Sequence, residues 1–266
     1  MLAIITGATG GLGRSYVYEC ARRNYDIILS ATKQERLDIL KAEIEKEFPN
    51  IKVFAKECRL NDKESREGFY SFIDTNGLKP DMLINNAGYI LEGSVLGCDF
   101  SEISGCAEVN IIGTMDLSYW FLKQRDLSKR NYLLTVSSMA GFYPMPQMAT
   151  YAATKSFLNH MSISLRKELK KQNVFVSCVC PGSMATNDAM KRSIKSQGIG
   201  GRLSLQSTNK VAKVSINNVL KNKAIWVPGF FNKAMVLFSK IFPKTLIASV
   251  VSSRWTKCEK KRGEYR

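Results

Sequence analysis

Tyr151 and Lys155 are four residues apart in a segment predicted to be helical, so their side chains share one face of the helix. A tyrosine hydroxyl titrates near pH 10, and a neighbouring ammonium group lowers that pKa by favouring the phenolate. The tyrosine then exchanges a proton with a carbonyl or alcohol oxygen near neutral pH. Ser138, at the end of a predicted strand, is placed to donate a hydrogen bond to the same oxygen. These residues predict proton transfer at a ketone or an alcohol.

A second candidate site lies at the start of the chain, where an apolar segment runs directly into a glycine-rich loop. Residues 2–6 predict a buried strand, and the loop Thr6-Gly7-Ala8-Thr9-Gly10-Gly11-Leu12-Gly13 opens a helix. Glycines permit a tight turn, and a helix N-terminus offers free N–H groups and the positive end of its dipole to phosphate. The loop therefore predicts a dinucleotide site. A P-loop is excluded because no Gly-Lys-Ser or Gly-Lys-Thr follows.

The elements that must position these residues alternate between short apolar strands and longer helical segments. Strands are predicted at residues 2–6, 26–30, 52–55, 81–85, 132–136, 174–179 and 223–227. The helices that bear on the site are predicted at 101–124 and 150–171. Such alternation predicts an α/β fold, a doubly wound parallel sheet of about seven strands with helices on both faces. No linker or repeat divides the 266 residues, so a single domain is expected.

Composition excludes several other classes of protein. A charged fraction of 23% with 45% apolar residues is typical of a globular protein. No run of apolar residues is long enough to span a membrane. The single histidine excludes a multi-histidine metal site, so no metal is expected. Seven cysteines without CxxC spacing, and no secretory signal after Met1, predict a cytoplasmic protein.

Further motifs carry a resemblance to a known family. They are Asn85-Asn86-Ala87-Gly88 after the fourth strand, Asn110 inside a helix, Ser138 at 13 residues before Tyr151, Tyr151-Ala-Ala-Thr-Lys155, and Pro181-Gly182 after the sixth strand. With the glycine loop, they make residues 2 to about 186 resemble the short-chain dehydrogenases/reductases. The loop alone also fits the longer, epimerase-like members. The other motifs match the 250-residue oxidoreductase branch, which includes hydroxysteroid dehydrogenases and 3-oxoacyl reductases.

The resemblance implies a single Rossmann-type domain over residues 1–266 and a set of functional residues. The implied catalytic residues are Asn110, Ser138, Tyr151 and Lys155, with Asn110 holding a water in a proton relay to Lys155. The implied cofactor contacts are Gly7, Thr9, Gly11, Leu12, Gly13, Thr32, Lys33, Leu60, Asn86, Ala87, Gly88, Asn110, Tyr151, Lys155, Pro181, Gly182, Met184 and Thr186. The helices at about 101–124 and 150–171 are implied to pair in a homodimer, with a homotetramer as the alternative.

The end of the second strand predicts the choice of nicotinamide cofactor. NAD enzymes place an acid there to bind the ribose 2′-hydroxyl, whereas this sequence has Ser30-Ala31-Thr32-Lys33. A lysine attracts the 2′-phosphate that a carboxylate would repel. In the family, a small polar residue followed by a basic one is an NADP pattern, so NADP(H) is the predicted cofactor. Arg14 could assist or could be an ordinary surface residue. Arg59 replaces the family's usual Asp and has no assigned role.

The substrate is expected beyond the carboxyl ends of the strands, where segments 89–98, 139–148 and 184–207 emerge. Their methionines and aromatic residues favour a bulky apolar substrate, although these loops could equally cap a small core of their own. Ser138, Tyr151, Met145 and Met190 are the predicted substrate contacts. Segment 184–207 is predicted to be a substrate lid with a flexible hinge at 196–201. Its basic residues, Lys191, Arg192, Lys195 and Arg202, would attract an anionic substrate or form a solvated face.

The net charge of +16 is concentrated in one part of the chain, because residues 165–266 hold 21 Lys and Arg but only 4 Asp and Glu. Within that part, residues 229–266 form a basic, partly amphipathic segment. Three roles stay open for it: peripheral contact with an anionic membrane, closure of the substrate pocket, or packing on the core. Nucleic acid is not an expected partner, because the basic residues belong to no recognised module.

Together these features predict an NADP(H)-dependent oxidoreductase that interconverts a secondary alcohol and a ketone. The favoured substrate is a hydroxy- or oxo-steroid of the anionic, bile-acid-like kind, because bulky apolar and basic features converge at the substrate end. A 3-oxoacyl thioester reductase with the same catalytic residues is the first alternative. The second is an NADP-binding membrane-surface or sensor protein, against which the complete catalytic set argues.

Overall fold

The computed structural model describes residues 1–186, 188–196 and 198–262, in which seven parallel strands form one sheet. The strands are β1 (Leu2–Thr6), β2 (Asp26–Ala31), β3 (Val53–Glu57), β4 (Met82–Asn85), β5 (Asn131–Val136), β6 (Val174–Val179) and β7 (Ile225–Trp226). Their order across the sheet is β3-β2-β1-β4-β5-β6-β7. The order reverses between β1 and β4, which confirms the predicted doubly wound α/β fold and opens a crevice at the carboxyl ends of these two strands.

Helices follow most of the strands. In the described part of the chain they are α1 (Gly11–Ala21), α2 (Gln34–Glu47), α3 (Lys63–Thr75), α4 (Phe100–Ala107), α5 (Thr114–Gln124), α6 (Ala149–Glu168), α7 (Asp188–Ser196), α8 (Gly198–Ser204), α9 (Thr208–Leu220), α10 (Phe230–Ile241) and α11 (Lys244–Arg262). A short 3₁₀ helix covers Met139–Phe142. Polar caps start three of the described α-helices. Asp62 accepts hydrogen bonds from the first turn of α3, Asp99 forms a capping box with Glu102 at α4, and Ser207 accepts from the N–H of Lys210 at α9.

Both faces of the sheet are buried, because successive side chains of a strand point to opposite sides. On one face, Ile5, Leu29 and Ile84 pack against residues of α1, α2 and α9. On the other face, the neighbouring residues Ile4, Ile28 and Leu83 pack against α3 and α5. The continuous apolar strands of the sequence follow from this burial on two sides.

Three predicted elements differ from those in the structure. The helix expected at 101–124 is divided by a π-helical segment, Glu108–Gly113, between α4 and α5. The seventh strand is only two residues long, pairing Ile225 and Trp226 with the end of β6. The hinge expected at 196–201 largely forms α8, because Gly198 takes a left-handed φ of +61° and the chain after it is helical. Residue 197 of that segment lies outside the described residues.

The basic segment expected at 229–266 forms α10 and α11, while residues 263–266 lie outside the described part. Both helices contribute to the wall of a cavity above the carboxyl ends of β5 and β6. In the ranges that the structure describes, no helix combines the length and the apolar character needed to cross a membrane.

Candidate active site

The glycine loop between β1 and α1 is held in a left-handed turn. Gly7 has a φ of +62°, and a Cβ atom there would lie 3.0 Å from the Cα atom of Ala87. A Cβ atom at Gly13 would collide with the carbonyl oxygen of Gly7. Helix α1 begins at Gly11, and no side chain caps its first N–H groups. The loop therefore offers free helix N–H groups beside a backbone that any side chain would obstruct, which fits a dinucleotide pyrophosphate.

The residues after β6 return to this loop. A Cβ atom at Gly11 would lie 2.8 Å from the Cβ atom of Thr186. The backbone N–H of Thr186 donates to the carbonyl of Met184 at 2.9 Å, which folds the segment into a tight turn. Pro181 and Gly182, just before it, line the cavity that contains the predicted catalytic residues. The structure thus brings Thr186 to the glycine loop and places Pro181 and Gly182 in the cavity wall.

Thr6 ties the end of β4 to the same place. Its hydroxyl accepts hydrogen bonds from the backbone N–H groups of Asn86 and Ala87, at 3.0 and 2.9 Å. The Asn86 side-chain amide donates to the carbonyl of Thr6 at 2.8 Å. Asn86 therefore joins the ends of β1 and β4 through both its backbone and its side-chain amide.

Three other predicted cofactor residues show different surroundings. Leu12 is buried on α1 and packs in the core. Leu60 is also buried, and its carbonyl accepts a hydrogen bond from the Arg66 guanidinium at 2.7 Å. Thr9 is partly exposed in the glycine loop. The side chains of the two leucines thus serve packing in this structure.

At the end of β2, Thr32 and Lys33 are both exposed. Lys33 occupies the N-cap of α2 but makes no side-chain hydrogen bond to the helix. Arg14 is the second residue that the sequence offers for binding the 2′-phosphate. In the structure its guanidinium instead donates to both carboxylate oxygens of Glu43, at 2.6 and 2.7 Å. Of the two candidate cations, only Lys33 remains available to a phosphate at this strand end.

Tyr151 and Ser138 meet at the floor of the cavity. Ser138 caps the 3₁₀ helix, where its hydroxyl accepts a hydrogen bond from the N–H of Ala140 at 3.1 Å. Burial raises the pKa of Tyr151 to about 12, although a hydrogen bond from Ser138 lowers it in part. The two hydroxyls are therefore close enough to act on one substrate oxygen, and Tyr151 keeps its proton at neutral pH.

Lys155 lies one turn further along α6. Its ammonium donates to the carbonyl of Val136 at 3.1 Å and is 5.7 Å from the centre of the Tyr151 ring. Burial lowers the pKa of Lys155 from 10.5 to about 8. The structure does not show the expected lowering of the Tyr151 pKa by this ammonium, because burial disfavours the charged forms of both groups.

Asn110 lies in the π-helical segment and is fully buried. Its side-chain oxygen accepts from the N–H of Tyr89 at 2.8 Å, and its amide donates to the carbonyl of Tyr89 and to the hydroxyl of Thr154, at 2.9 and 3.0 Å. Both amide protons are used, so the side chain clamps the loop after β4 to α6. The water relay from Asn110 to Lys155 stays a prediction.

The surroundings of Gly88 show that the side chains of Lys155 and Asn110 lie close to each other. A Cβ atom at Gly88 would lie 3.3 Å from the Lys155 nitrogen and 3.4 Å from the Asn110 side-chain oxygen. The four predicted catalytic residues are therefore brought together from the segment after β5, the π-helical segment and α6.

The burial of Lys155 predicts a pH-dependent effect on stability. A pKa lowered from 10.5 to about 8 corresponds to a cost of about 3 kcal/mol for the ammonium in the folded protein. Lys155→Met removes this cost but leaves the Val136 carbonyl without its donor, for about 1–2 kcal/mol. We expect the variant to be more stable than the parent at pH 7 by roughly 1–2 kcal/mol.

The difference in stability between Lys155→Met and the parent depends on pH and changes sign as pH rises through the range from 8 to 10.5. Between pH 8 and 10.5 the unfolded chain binds more protons at this lysine than the folded protein, so the parent gains stability as pH rises. Urea unfolding at pH 7 and pH 9.5 measures the change. Tyr151→Phe, which keeps Lys155, should retain the gain. An identical free energy of unfolding for the parent and Lys155→Met at pH 7 would show that the lysine is not desolvated.

A cavity of about 280 Å³ opens above Tyr151 and Ser138. Both predicted methionine contacts, Met145 and Met190, line it. In all, six of the ten methionines of the sequence do so: Met139, Met145, Met148, Met184, Met190 and Met235. Flexible thioether side chains adapt to the shape of an apolar ligand. The cavity therefore fits a bulky apolar group next to the catalytic hydroxyls.

Several cavity residues were missed by the sequence analysis. Phe231 and Met235 reach the cavity from α10, and Arg254 and Trp255 reach it from α11. The Arg254 guanidinium lies against Gly200 of α8, where any Cβ atom would collide with it. No ion pair to Arg254 occurs among the described residues. No motif marks these positions; only the enrichment of basic and aromatic residues near the C-terminus is visible in the sequence.

The basic residues predicted to attract a substrate are placed differently. Lys191 forms an ion pair with Asp188 at 2.9 Å. Lys191, Arg192, Lys195 and Arg202 are all exposed and are not among the residues that line the cavity. The cation in the cavity wall is instead Arg254, because α11 contacts α7 and Arg254 lies against Gly200 of α8. One acidic residue, Glu92, also lines the cavity.

Comparisons with known proteins agree with this geometry. A family model described as short chain dehydrogenase matches residues 1–221. A very-long-chain 3-oxoacyl-CoA reductase of Neurospora crassa is 33% identical over 181 residues, which are 66% of this chain and 54% of the relative. One from Macaca fascicularis is 29% identical over 197 residues, covering 71% and 61%. The match thus spans little more than half the length of these relatives.

Solved structures share the fold over nearly the whole chain. A 7β-hydroxysteroid dehydrogenase superposes with a TM-score of 0.83 at 18% identity, covering 94% of this chain and 96% of the other. The L-sorbose reductase of Gluconobacter frateurii, in complex with NADPH and L-sorbose, gives a TM-score of 0.77 at 18% identity, covering 86% and 94%. At such identities the likeness concerns the fold.

Proposed function

The chain belongs to the short-chain dehydrogenase family, and on this premise we propose that it is an NADP(H)-dependent reductase of a ketone on a bulky, apolar, negatively charged substrate. The observation that carries the proposal is the methionine-lined cavity above Tyr151, with the Arg254 guanidinium in its wall. Residues 1–221, which match the family, would supply the cofactor site and the proton-transfer residues. The upper wall, from α10 and α11, lies beyond that match and would select the substrate.

The chain's own residues would manage the proton and the developing charge. Tyr151 holds its proton at neutral pH, so it is set to protonate the carbonyl oxygen as the ketone is reduced. Ser138 would donate a hydrogen bond to the same oxygen and stabilise its negative charge. The Lys155 ammonium, 5.7 Å from the Tyr151 ring, would stabilise the tyrosinate that remains. When bound, the nicotinamide ring exchanges a hydride with the carbonyl carbon.

The preference for NADP(H) is supported at the end of β2. Lys33 is exposed there and makes no side-chain bond to its own helix, while the turn Ala31–Lys33 carries no carboxylate. A bound 2′-phosphate would gain a charge-assisted contact from this lysine. Related folds have been solved with NADPH and also with NADH, so the fold alone does not decide between the two cofactors.

A 3-oxoacyl thioester is the first substrate class we propose. The relatives at 29–33% identity are named very-long-chain 3-oxoacyl-CoA reductases. An acyl chain suits an adaptable cavity lined by methionine, and the phosphates of a thioester carrier would suit Arg254.

An oxo-steroid with an acidic side chain is the second substrate class. It presents the same combination of an apolar body and one negative charge, and a fused ring system would place a ketone over Tyr151 and a carboxylate near Arg254. The similarity in fold to a 7β-hydroxysteroid dehydrogenase, which includes the C-terminal part of the chain, favours keeping this candidate.

The test is NADPH oxidation by the purified protein with 3-oxoacyl thioesters of CoA and of an uncharged thiol, and with oxo-steroids that carry or lack a carboxylate. We expect turnover of the charged thioesters, and we expect Arg254→Met to raise KM for charged substrates about 10-fold with little change for neutral ones. Arg130→Met is the matched control, because Arg130 lies over the Phe175 ring at the opposite end of β5. Turnover of steroids alone would favour the second class, and no turnover of either set would refute the proposal.

A further inference from the structure

Helix α10 exposes apolar side chains on the side that faces away from the protein. Phe230, Leu237, Phe238 and Ile241 follow one another at helical spacing, and the side chains of Phe230 and Ile241 are 89% and 69% exposed. We call these four residues the α10 stripe. A surface helix normally presents polar residues on this side, since its apolar residues face the core. The α10 stripe is thus an apolar surface that the described part of the chain leaves uncovered.

The helices next to α10 also expose apolar side chains. Helix α8 packs against α10 and exposes Ile199 and Leu203, and α11 exposes Leu246 and Val250. Inward-facing residues of α10 are already committed to the cavity, through Phe231 and Met235, or to the core, through Val236. The exposed apolar residues are therefore additional to those that α10 uses for packing.

The part of the sequence that contains the α10 stripe carries charge of only one sign. Between Asp188 and Glu259 the sequence contains thirteen Lys and Arg residues and no Asp or Glu. Lys233 and Lys240 are exposed on α10 itself, and Lys244 is exposed at the start of α11. A second copy of this chain would bring like charges together at such a surface, whereas a negatively charged bilayer would complement it.

We infer that the α10 stripe docks on the surface of an anionic lipid bilayer. The aromatic and aliphatic side chains would enter the interfacial region, and the lysines of α10 and α11 would meet the lipid headgroups. The opposite side of the same helix lines the catalytic cavity, so docking would place the cavity wall at the membrane surface. Substrates dissolved in the bilayer would then be concentrated next to the site. The docking itself does not depend on which ketone the site reduces.

Vesicle sedimentation of the full chain tests this inference without cofactor or substrate. One set of vesicles contains phosphatidylcholine alone, and the other contains phosphatidylcholine with about 30% phosphatidylglycerol. The second set carries the negative surface charge that attracts a basic protein surface. We expect binding to the anionic vesicles and at least about a 10-fold smaller partition coefficient for Ile241→Asp. We also expect high salt to weaken binding, because exposed charges are screened.

Ile39→Asp is the matched control, because Ile39 is 68% exposed on α2, on another helix. It should bind vesicles like the parent. Equal binding by Ile241→Asp and the parent, equal binding to neutral and anionic vesicles, or no binding by the parent would each overturn the inference. A parent dimer that Ile241→Asp dissociates would assign the stripe to a second copy instead. NADPH oxidation with a soluble ketone, measured on the same preparations, shows whether the catalytic proposal stands or fails separately.

Discussion

Tyr151→Phe is expected to lower kcat for ketone reduction by about 10³-fold while NADPH still binds. The phenol is the acid nearest the predicted position of the substrate oxygen, and its pKa of about 12 keeps it protonated at neutral pH. Without the hydroxyl, Ser138 still stabilises charge but no longer has a proton donor beside it. Stopped-flow measurement of NADPH oxidation gives kcat, and quenching of protein fluorescence gives NADPH affinity.

The same residue predicts opposite pH dependences for the two directions of the reaction. Reduction needs the protonated phenol and should be fast near neutral pH, whereas oxidation of the alcohol needs the tyrosinate and should accelerate as pH rises toward 12. Tyr119→Phe, on the exposed side of α5, is the matched control and should leave both profiles unchanged. Reduction by Tyr151→Phe at the parent's rate would exclude Tyr151 as the proton donor.

Lys33→Asp is expected to lower the preference for NADPH over NADH by roughly 100-fold. The substitution exchanges an attraction to the 2′-phosphate for a repulsion, and a charge-assisted contact of this kind accounts for about 1.5–3 kcal/mol. It should not harm the fold, because Lys33 occupies the N-cap of α2, where aspartate is a favourable residue. The ratio of kcat/KM for the two cofactors measures the effect.

Lys46→Asp provides the comparison, since it makes the same charge change in the last turn of α2, away from the strand end. It should leave the cofactor ratio within about twofold of the parent value, because exposed charges this far apart are screened. If Lys33→Asp and Lys46→Asp shift the ratio equally, the effect is one of net charge and Lys33 does not contact the phosphate.

The parts of the site that depend on local geometry were predictable from the sequence. Tyr151 and Lys155 share a helix face because of their spacing, and the glycine loop follows a strand and opens a helix. The doubly wound parallel sheet also follows from the alternation of strands and helices, whereas the order of its strands does not, because doubly wound folds adopt more than one order. These features need only the helical repeat and the side-chain periodicity.

The remaining features depend on which distant segments pack together. Arg254 enters the cavity wall because α11 contacts α7 and Arg254 lies against Gly200 of α8, and no spacing along the chain signals this. The raised pKa of Tyr151 comes from burial, which the four-residue spacing to Lys155 does not reveal. For the same reason, the sequence does not show that the basic residues of segment 184–207 are exposed outside the cavity while Arg254 of α11 lies in its wall.

The sequence predicts one helix where the structure has α4 and α5. The π-helical segment Glu108–Gly113 between them determines how α5 is rotated about the helix axis relative to α4. Each residue of an α-helix advances the side chains by about 100°, so the extra residue of a π turn rotates all of α5 relative to α4 by about that angle. Deleting one residue would restore an unbroken α-helix. It would also rotate either Phe121 out of the core or Asn110 away from Thr154. The π-helical turn thus lets Phe121 face the core while Asn110 faces Thr154. A uniform α-helix could not place both side chains in this way.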